Sequence, residues 1–117
     1  MKYLCLVYFE GSKLAALAPE EKHALDRDSL AYDKELERIG HFIAADALYS
    51  VEEATTVRVR DDKMSVTDGP FAETKEQLGG FILIEARDMN QAIRLAAGIP
   101  LARLGSIEVR PVLNIEV

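Results

Sequence analysis

The stretch from residue 68 to residue 80 concentrates the side chains of this chain that could take part in chemistry. It carries four charged groups within nine residues, at Asp68, Glu73, Lys75 and Glu76. Carboxylates can act as general acids or bases. The opening Asp-Gly-Pro is typical of a turn, because glycine permits unusual backbone angles and proline fixes its own. A loop this charged on a small domain is a candidate site.

Asp68 and Glu73 are the candidate catalytic carboxylates of this stretch, and each also has a structural interpretation. The Asp68 carboxylate could accept hydrogen bonds from backbone amides two residues further on. Glu73 could belong to an exposed polar loop. Lys75 lies between two acids that would hold it charged, which suits an ion pair or ligand binding better than a nucleophilic role.

Two further polar residues are candidates outside this stretch. His41 follows the glycine that ends a predicted helix, and it is the third candidate acid–base residue. Ser29 falls on the apolar stripe of that helix. Its hydroxyl either bonds back to its own helix or faces a cleft, where it would contact a ligand. His23 lies outside the stripe and is predicted to be exposed.

The last predicted strand, residues 107–117, supplies a pair of charged side chains on one face. Glu108 and Arg110 are two residues apart, so they would be neighbours on the open side of the sheet. They form either a surface ion pair worth under ~1 kcal/mol or a ligand site in which the Arg110 guanidinium holds an anionic group. The apolar positions that alternate with them and would lie under the helices are Ile107, Val109, Leu113 and Ile115.

Hydrophobic periodicity and turn residues predict the elements that position these side chains. The predicted strands are 2–9, 41–48, 55–60, 63–67, 79–86 and 107–117, and the predicted helices are 19–39 and 89–97. Asp61 and Asp62 would join the third and fourth strands in a hairpin turn that is strained or longer than two residues. The order βαβ, hairpin, βαβ predicts a ferredoxin-like α+β sandwich. By length, residues 1–117 form a single domain.

The strands at 2–9 and 79–86 are apolar on both faces, which indicates that both faces are covered. A domain of this length has enough helix to cover only one side of its sheet. A second copy of the chain is the simplest cover for the other side, so the sequence predicts a homodimer.

Composition narrows the range of partners and locations. The net charge of −6, from 14 basic and 20 acidic side chains, argues against nucleic acid, which requires a basic face. No apolar run approaches the ~18 residues of a membrane span. Cys5 is the only cysteine, so no intrachain disulfide can form, and a cytoplasmic location is predicted. Neither a Gly-rich phosphate loop nor a metal-binding His or Cys pattern is present.

The motif DGPFAETKEQLGGF at 68–81 resembles the signature of the DGPF group of YCII-related proteins, which are small bacterial domains. The similarity extends to the first strand, to the run 54–58 and to 106–111. The run 54–58 contains Arg58, a further candidate ligand-binding residue. The resemblance implies a ferredoxin-like unit that pairs into a dimeric α/β barrel, and it implies action without a cofactor.

The wider YCII-related group tends to carry a histidine in the first helix, about eleven residues before the glycine that ends it, and a nearby aspartate. Ser29 occupies that position here, so the resemblance does not supply histidine-based catalysis. The predicted function is binding of a small organic molecule in a cleft near the dimer interface. Any catalysis would be acid–base or elimination chemistry of the lyase or isomerase type.

Two non-catalytic functions compete with this prediction. Domains of the family occur fused to, or encoded beside, extracytoplasmic-function sigma factors, which implies an accessory or regulatory module. A purely structural interpretation makes the charged motif a self-association device that fixes the hairpin and the dimer.

Overall fold

The computed structural model describes residues 1–116. Over this range the elements follow in the order β1 (Lys2–Phe9), α1 (Gly11–Ala15), α2 (Pro19–Arg38), β2 (Phe42–Ala47), β3 (Thr55–Arg60), β4 (Lys63–Asp68), β5 (Gln77–Glu85), α3 (Met89–Ala97) and β6 (Ser106–Pro111). Single turns of 3-10 helix lie at Val51–Glu53 and Pro100–Arg103. The short helix α1 was not predicted from the sequence.

Four strands form one antiparallel sheet in the order β2-β5-β1-β6. Numbered among themselves in chain order, these strands read 2-3-1-4, with the first and third strands central, which is the ferredoxin-like arrangement. α2 and α3 pack on one face of this sheet. The predicted α+β fold with its ferredoxin-like order is therefore confirmed.

The core lies between that face and the two helices. Alternate residues of β1 and β5 point into it, and Leu36 of α2 meets them there. Leu36, Ile84 and Cys5 are the largest fully buried side chains among the described residues. Cys5 is 0% exposed on the central strand, and this burial raises the pKa of its thiol to about 11.

Hydrogen bonds and turn residues close in sequence determine where α2 and α3 begin and where α2 ends. The Ala18 amide donates to the Glu21 carboxylate at 2.9 Å, and Pro19 occupies the first turn of α2. Gly40 adopts φ +82° just after α2, a left-handed conformation that ends the helix. Asp88 caps α3, because its Oδ1 accepts a hydrogen bond from the Gln91 amide at 2.8 Å.

The last strand is shorter than predicted. β6 pairs with β1 from Ser106 opposite Tyr8 to Pro111 opposite Tyr3. Because β1 begins at Lys2, its ladder ends there and β6 ends with it. Leu113 and Ile115 are exposed rather than packed under the helices, so that part of the prediction is wrong, and Val117 lies outside the described residues.

β3 and β4 form a separate two-stranded hairpin, residues 55–68, which is called the arm below. Asp61 and Asp62 connect its strands, with φ angles of 52° and 60°. Arg60 pairs directly with Lys63, so the turn has two residues with positive φ at both, the geometry that matches strand twist. The hairpin prediction holds, and its turn is no longer than two residues.

Gly105 precedes β6 and passes very close to the end of β1. A Cβ atom there would overlap the Tyr8 carbonyl oxygen and would lie 2.9 Å from the Phe9 Cα. We expect Gly105→Ala to lower the free energy of unfolding by roughly 1–3 kcal/mol, because backbone atoms cannot move aside as a flexible side chain can. Urea unfolding measures this change.

Gly11→Ala is the matched control for this substitution. A Cβ at Gly11 would meet only the Gln77 side chain, at 4.0 Å, so the urea midpoint should stay near that of the wild type. Equal midpoints for the Gly105 and Gly11 variants would contradict the close approach at Gly105.

Candidate functional site

A cavity of about 490 Å³ lies between α2 and the sheet, and it is called the α2 cleft below. Asp26, Ser29 and Asp33 line it from one face of the helix, since residues three, four and seven apart lie on the same side. The 3-10 turn after α3 closes one side. The main apolar wall residues are Val7, Leu30, Tyr32, Ala45, Ala47, Ile82, Ile99 and Leu101.

The environment of the Asp33 carboxyl is the feature of this cleft that bears most on chemistry. Asp33 is half-buried, and burial raises the pKa of its carboxyl from the ordinary aspartate value. No cation offsets this effect within the described residues. Glu35, on the outer side of α2, behaves in the opposite way, because a hydrogen bond from Arg38 lowers the pKa of its carboxyl.

The sequence pattern does not single out Asp33 among the acids of α2. The signal that could have found it is spacing: Asp33 follows Ser29 by four residues and adjoins Tyr32, which is on the apolar stripe. Ser29 itself does line the cleft, as one of its two interpretations required.

Among the residues that the structure describes, the charged groups that line the α2 cleft are all acidic. Asp26 and Asp46 join Asp33 along its walls, and neither lysine nor arginine is among the lining residues. Apolar side chains make up most of the remaining surface. A neutral or cationic ligand with substantial apolar area therefore suits this cleft better than an anion does.

Tyr32 fixes the position of α2 against α3 at the back of the cleft. Its hydroxyl donates to the Leu95 carbonyl oxygen at 2.5 Å. Burial is the main cause that raises the pKa of this phenol. The Tyr32 ring occupies the space that a side chain at residue 98 would need, so Gly98 allows the close packing here.

The turn at the start of the charged motif is held by its backbone and by a threonine. The Gly69 amide donates to the Ala54 carbonyl at 2.7 Å, and the Thr56 hydroxyl donates to the Gly69 carbonyl at 2.9 Å. Asp68 is exposed, and within residues 1–116 its carboxylate accepts no hydrogen bond from the turn. The proposed amide-binding role of Asp68 is therefore absent. Glu73 is also exposed.

The second half of the motif is tied to its neighbours in the fold. Lys75 Nζ lies 3.7 Å from Glu10 at the end of β1, so its ion pair forms with Glu10 and not with the flanking acids. The Ser106 hydroxyl donates to the Glu76 carboxylate at 2.7 Å. These contacts connect the motif loop to the end of β1 and to the start of β6.

A second cavity, of about 590 Å³, lies between the motif loop, the base of the arm and the open face of the sheet. It is called the motif cavity below. Tyr8 and Leu78 provide its floor, and Tyr49 and Phe71 stand at its sides. Neither Asp68 nor Glu73 lines it.

His41 lies at the far end of the sheet from the motif. Its Nδ1 is 2.7 Å from the Glu85 carbonyl oxygen, at the last residue of β5. β5 starts in the motif at Gln77 and spans about 27 Å over nine residues. The structure therefore does not bring His41 together with Asp68 or Glu73.

The remaining predicted site residues occupy other surfaces. Glu108 and Arg110 pair opposite Leu6 and Leu4, on the sheet face away from the helices, as their alternation predicted. Both are exposed, and within residues 1–116 they form no salt bridge with each other. Arg58 is exposed on the arm. None of the three lines the α2 cleft.

Two further observations concern metals and membranes. Among residues 1–116, no group of three or more His, Cys, Asp or Glu side chains is arranged to hold a metal ion. In the same range, every helix is too short or too polar to cross a bilayer.

These features define a small ferredoxin-like α+β domain with a carboxylate-lined cleft beneath its longest helix. Its sequence matches the YCII-related domain over residues 1–116, and the chain belongs to that family. The family prediction from the sequence is thus confirmed.

Two known proteins are similar to this chain, one in sequence and one in structure. It is 36% identical over 113 residues to an uncharacterised protein, R00369, of Rhizobium meliloti (strain 1021), covering 95% of this chain and 91% of that one. A solved structure, 5-chloro-2-hydroxyhydroquinone dehydrochlorinase of Burkholderia phenoliruptrix AC1100 in complex with 2,5-dihydroxybenzoquinone, matches with a TM-score of 0.56. The match covers 97% of this chain and 94% of that one at 15% identity, so the likeness supports the shared fold alone.

Proposed function

We propose that the α2 cleft binds a small organic molecule and that Asp33 transfers a proton to or from it in an acid–base or elimination reaction. The observation that carries this proposal is the Asp33 carboxyl, which is half-buried in a mostly apolar cavity with no lysine or arginine among the described lining residues. A cavity of this kind with a few convergent polar groups and a perturbed carboxyl is the usual form of a small-molecule site.

The raised pKa of Asp33 is suited to proton transfer. A carboxyl whose pKa moves toward neutral pH is a stronger base once ionised, and both of its protonation states are more evenly populated near the working pH. In an elimination, Asp33 takes the proton from one carbon of the substrate, the C–H electrons form the new double bond, and the leaving group departs with its bonding pair. Ser29, one turn earlier on the same face, provides a hydroxyl that can orient a polar substituent.

The shared fold supports this type of reaction. The Burkholderia protein named above is a dehydrochlorinase, and loss of hydrogen chloride is an elimination. The support concerns the capacity of the fold and not particular residues, because identity is 15%.

The proposal uses Ser29 from the set predicted by sequence and adds Asp33. Asp68, Glu73 and His41 take no part in the proposed proton transfer, because they do not line the α2 cleft. The predicted ligand contacts Lys75, Arg58, Glu108 and Arg110 also lie outside it.

We further propose that the protein is a homodimer joined through the open face of the sheet. Leu4, Leu6, Phe81 and Leu83 point away from the helices on the two central strands and are only half-buried. A sheet face of this apolar character is normally covered, and a second copy presents the same surface in return.

The charge of the α2 cleft provides the first test. Hydroquinone is expected to raise the melting temperature, and 2,5-dihydroxybenzoate, which adds one carboxylate to the same ring, is expected to raise it less. A ligand at about 100 times its Kd stabilises the native state by ~2.7 kcal/mol. Differential scanning fluorimetry across ligand concentrations measures both shifts.

Two variants decide whether such binding occurs in the cleft. Ser29→Leu places an apolar side chain into the cavity and should remove the hydroquinone shift, whereas Ser65→Leu, exposed on the arm, should retain it. A shift that persists in Ser29→Leu would place the ligand elsewhere. Binding in the cleft without turnover of any substrate would favour the accessory module, including one that works with extracytoplasmic-function sigma factors.

A further inference from the structure

The arm carries an apolar face that is left uncovered by the rest of residues 1–116. Val57 pairs with Val66 and Val59 with Met64, and all four side chains lie on the same side of the hairpin. They are 58–70% exposed. An isolated two-stranded hairpin is at best marginally stable in water, so an arm with one apolar face indicates a surface that is covered in the working protein.

The overall dimensions show that the arm extends away from the body of the domain. The radius of gyration is 16.2 Å, whereas a compact domain of this length has about 13 Å. The molecule measures 48 × 46 × 19 Å. Burial of the arm against its own domain would make the molecule more compact than this.

The apolar face of the arm begins next to the motif cavity. Thr55 and Thr56, at the start of the arm, line that cavity together with Tyr49 and Phe71. Tyr49 is 88% exposed and Phe71 is 79% exposed although both line it. The cavity therefore lacks a wall on the side where these two rings face water.

We propose that the arm of each copy packs against a second copy of the chain, and that this second copy supplies the missing wall of the motif cavity. The proposal rests on the homodimer proposed above and adds to it which element makes the contact and which cavity the contact completes. It does not depend on the chemistry proposed for Asp33.

The exposed area supports a second copy as the occupant. Four arm side chains together with Tyr49 and Phe71 leave on the order of 600 Å² of apolar surface in water. The open sheet face adds to this surface, and a standard stable interface buries ~800 Å² on each partner. In a two-fold dimer both copies contribute one arm and one cavity, so each uncovered surface is covered once.

The completed motif cavity would have aromatic and aliphatic walls, with Glu53 as the one carboxyl among the described residues that line it. A ligand held there would be a mainly apolar molecule, and it would be exposed to solvent in the single chain. The site would therefore form only in the assembled protein.

Weakening the apolar face of the arm tests the contact. The double variant Val59→Thr/Met64→Thr keeps residues that favour strands and removes two opposed apolar side chains. Sedimentation velocity is expected to show at least about a tenfold weaker dimer. The matched control, Lys63→Thr/Ser65→Thr, alters the polar face of the arm and should leave the dimer Kd close to the wild-type value.

Hydrogen exchange separates failure of this inference from failure of the dimer. Amides of residues 55–68 should become more protected as protein concentration rises through the dimer Kd. A stable dimer whose arm amides exchange equally fast at all concentrations would overturn the arm contact and leave the dimer intact. A folded monomer at all concentrations would overturn both.

Tryptophan fluorescence tests separately whether the second copy supplies the missing wall of the motif cavity. The chain contains no tryptophan, so Phe71→Trp introduces a single tryptophan, which can be excited selectively, at the rim of the motif cavity. Its emission should move to shorter wavelength on dimerisation and stay at the solvent-exposed position when Val59→Thr/Met64→Thr is added. Ile93→Trp, placed on α3, should show no such shift. Unchanged Phe71→Trp emission in a proven dimer would overturn the proposed wall.

Discussion

Replacing Asp33 by Asn is expected to reduce turnover roughly 10²–10⁴-fold, the usual contribution of a general acid–base group, while the protein remains at least as stable at pH 7. The amide has nearly the same shape but cannot exchange a proton at this position. Activity is measured as kcat with a substituted hydroquinone that binds the α2 cleft and is converted by the wild-type protein. Loss of activity without loss of stability is the pattern expected of a chemical role.

The pH dependence of stability gives a second readout of the same substitution. Burial raises the pKa of Asp33 in the folded protein above its value in the unfolded chain. The stability that this carboxyl contributes is therefore complete below the unfolded pKa and is lost as pH rises through the folded pKa. The melting temperature of Asp33→Asn should match the wild type in acid and equal or exceed it at neutral pH.

Asp28→Asn is the control for both readouts, because Asp28 lies on the same helix and is exposed outside the α2 cleft. It should change neither turnover nor the difference in melting temperature across pH. Full activity in Asp33→Asn would remove the proposed role of this residue, and equal losses of activity and stability would indicate a structural role.

Replacing Leu36 by Ala is expected to lower the free energy of unfolding by about 2–5 kcal/mol. Leu36 is 1% exposed and lies where α2 meets the sheet. Removal of its methyl groups loses apolar burial and leaves a cavity among β1, β5 and α3. This effect is large against the stability of ~5–15 kcal/mol that is typical of a small domain.

Leu30→Ala makes the same chemical change six residues earlier in α2. Leu30 is 65% exposed, so the free energy of unfolding of the Leu30→Ala variant should differ from that of the wild type by no more than ~0.5 kcal/mol. Urea denaturation with equal m-values compares the two variants. Similar losses for both would mean that α2 is not packed on the sheet through Leu36.

The fold could be predicted where local patterns carry the information. Gly40 ends α2 as its position after the apolar stripe indicated, and Asp88 caps α3. The alternation of Glu108 and Arg110 correctly placed them on the sheet face away from the helices. Each of these predictions depends on residues that are close together in the sequence.

Features that depend on distant partners could not be predicted in this way. β6 ends at Pro111 because its partner β1 begins at Lys2, more than a hundred residues earlier. The aspartate at position 33 is half-buried because Ile99, Leu101 and strand residues close the cleft around it. The separation of His41 from the motif follows from the pairing of β2 with β5, which sequence spacing does not encode.

Cys5 gives the protein an internal reporter of its own opening. It is the sole thiol of the chain, it lies on a strand hydrogen-bonded on both sides, and it is fully shielded from water. A thiol-reactive dye can reach it only after β1 separates from its neighbours, so the rate of labelling follows the opening of the central sheet. Oxidants in the cell would therefore not oxidise the Cys5 thiol until the central sheet opens.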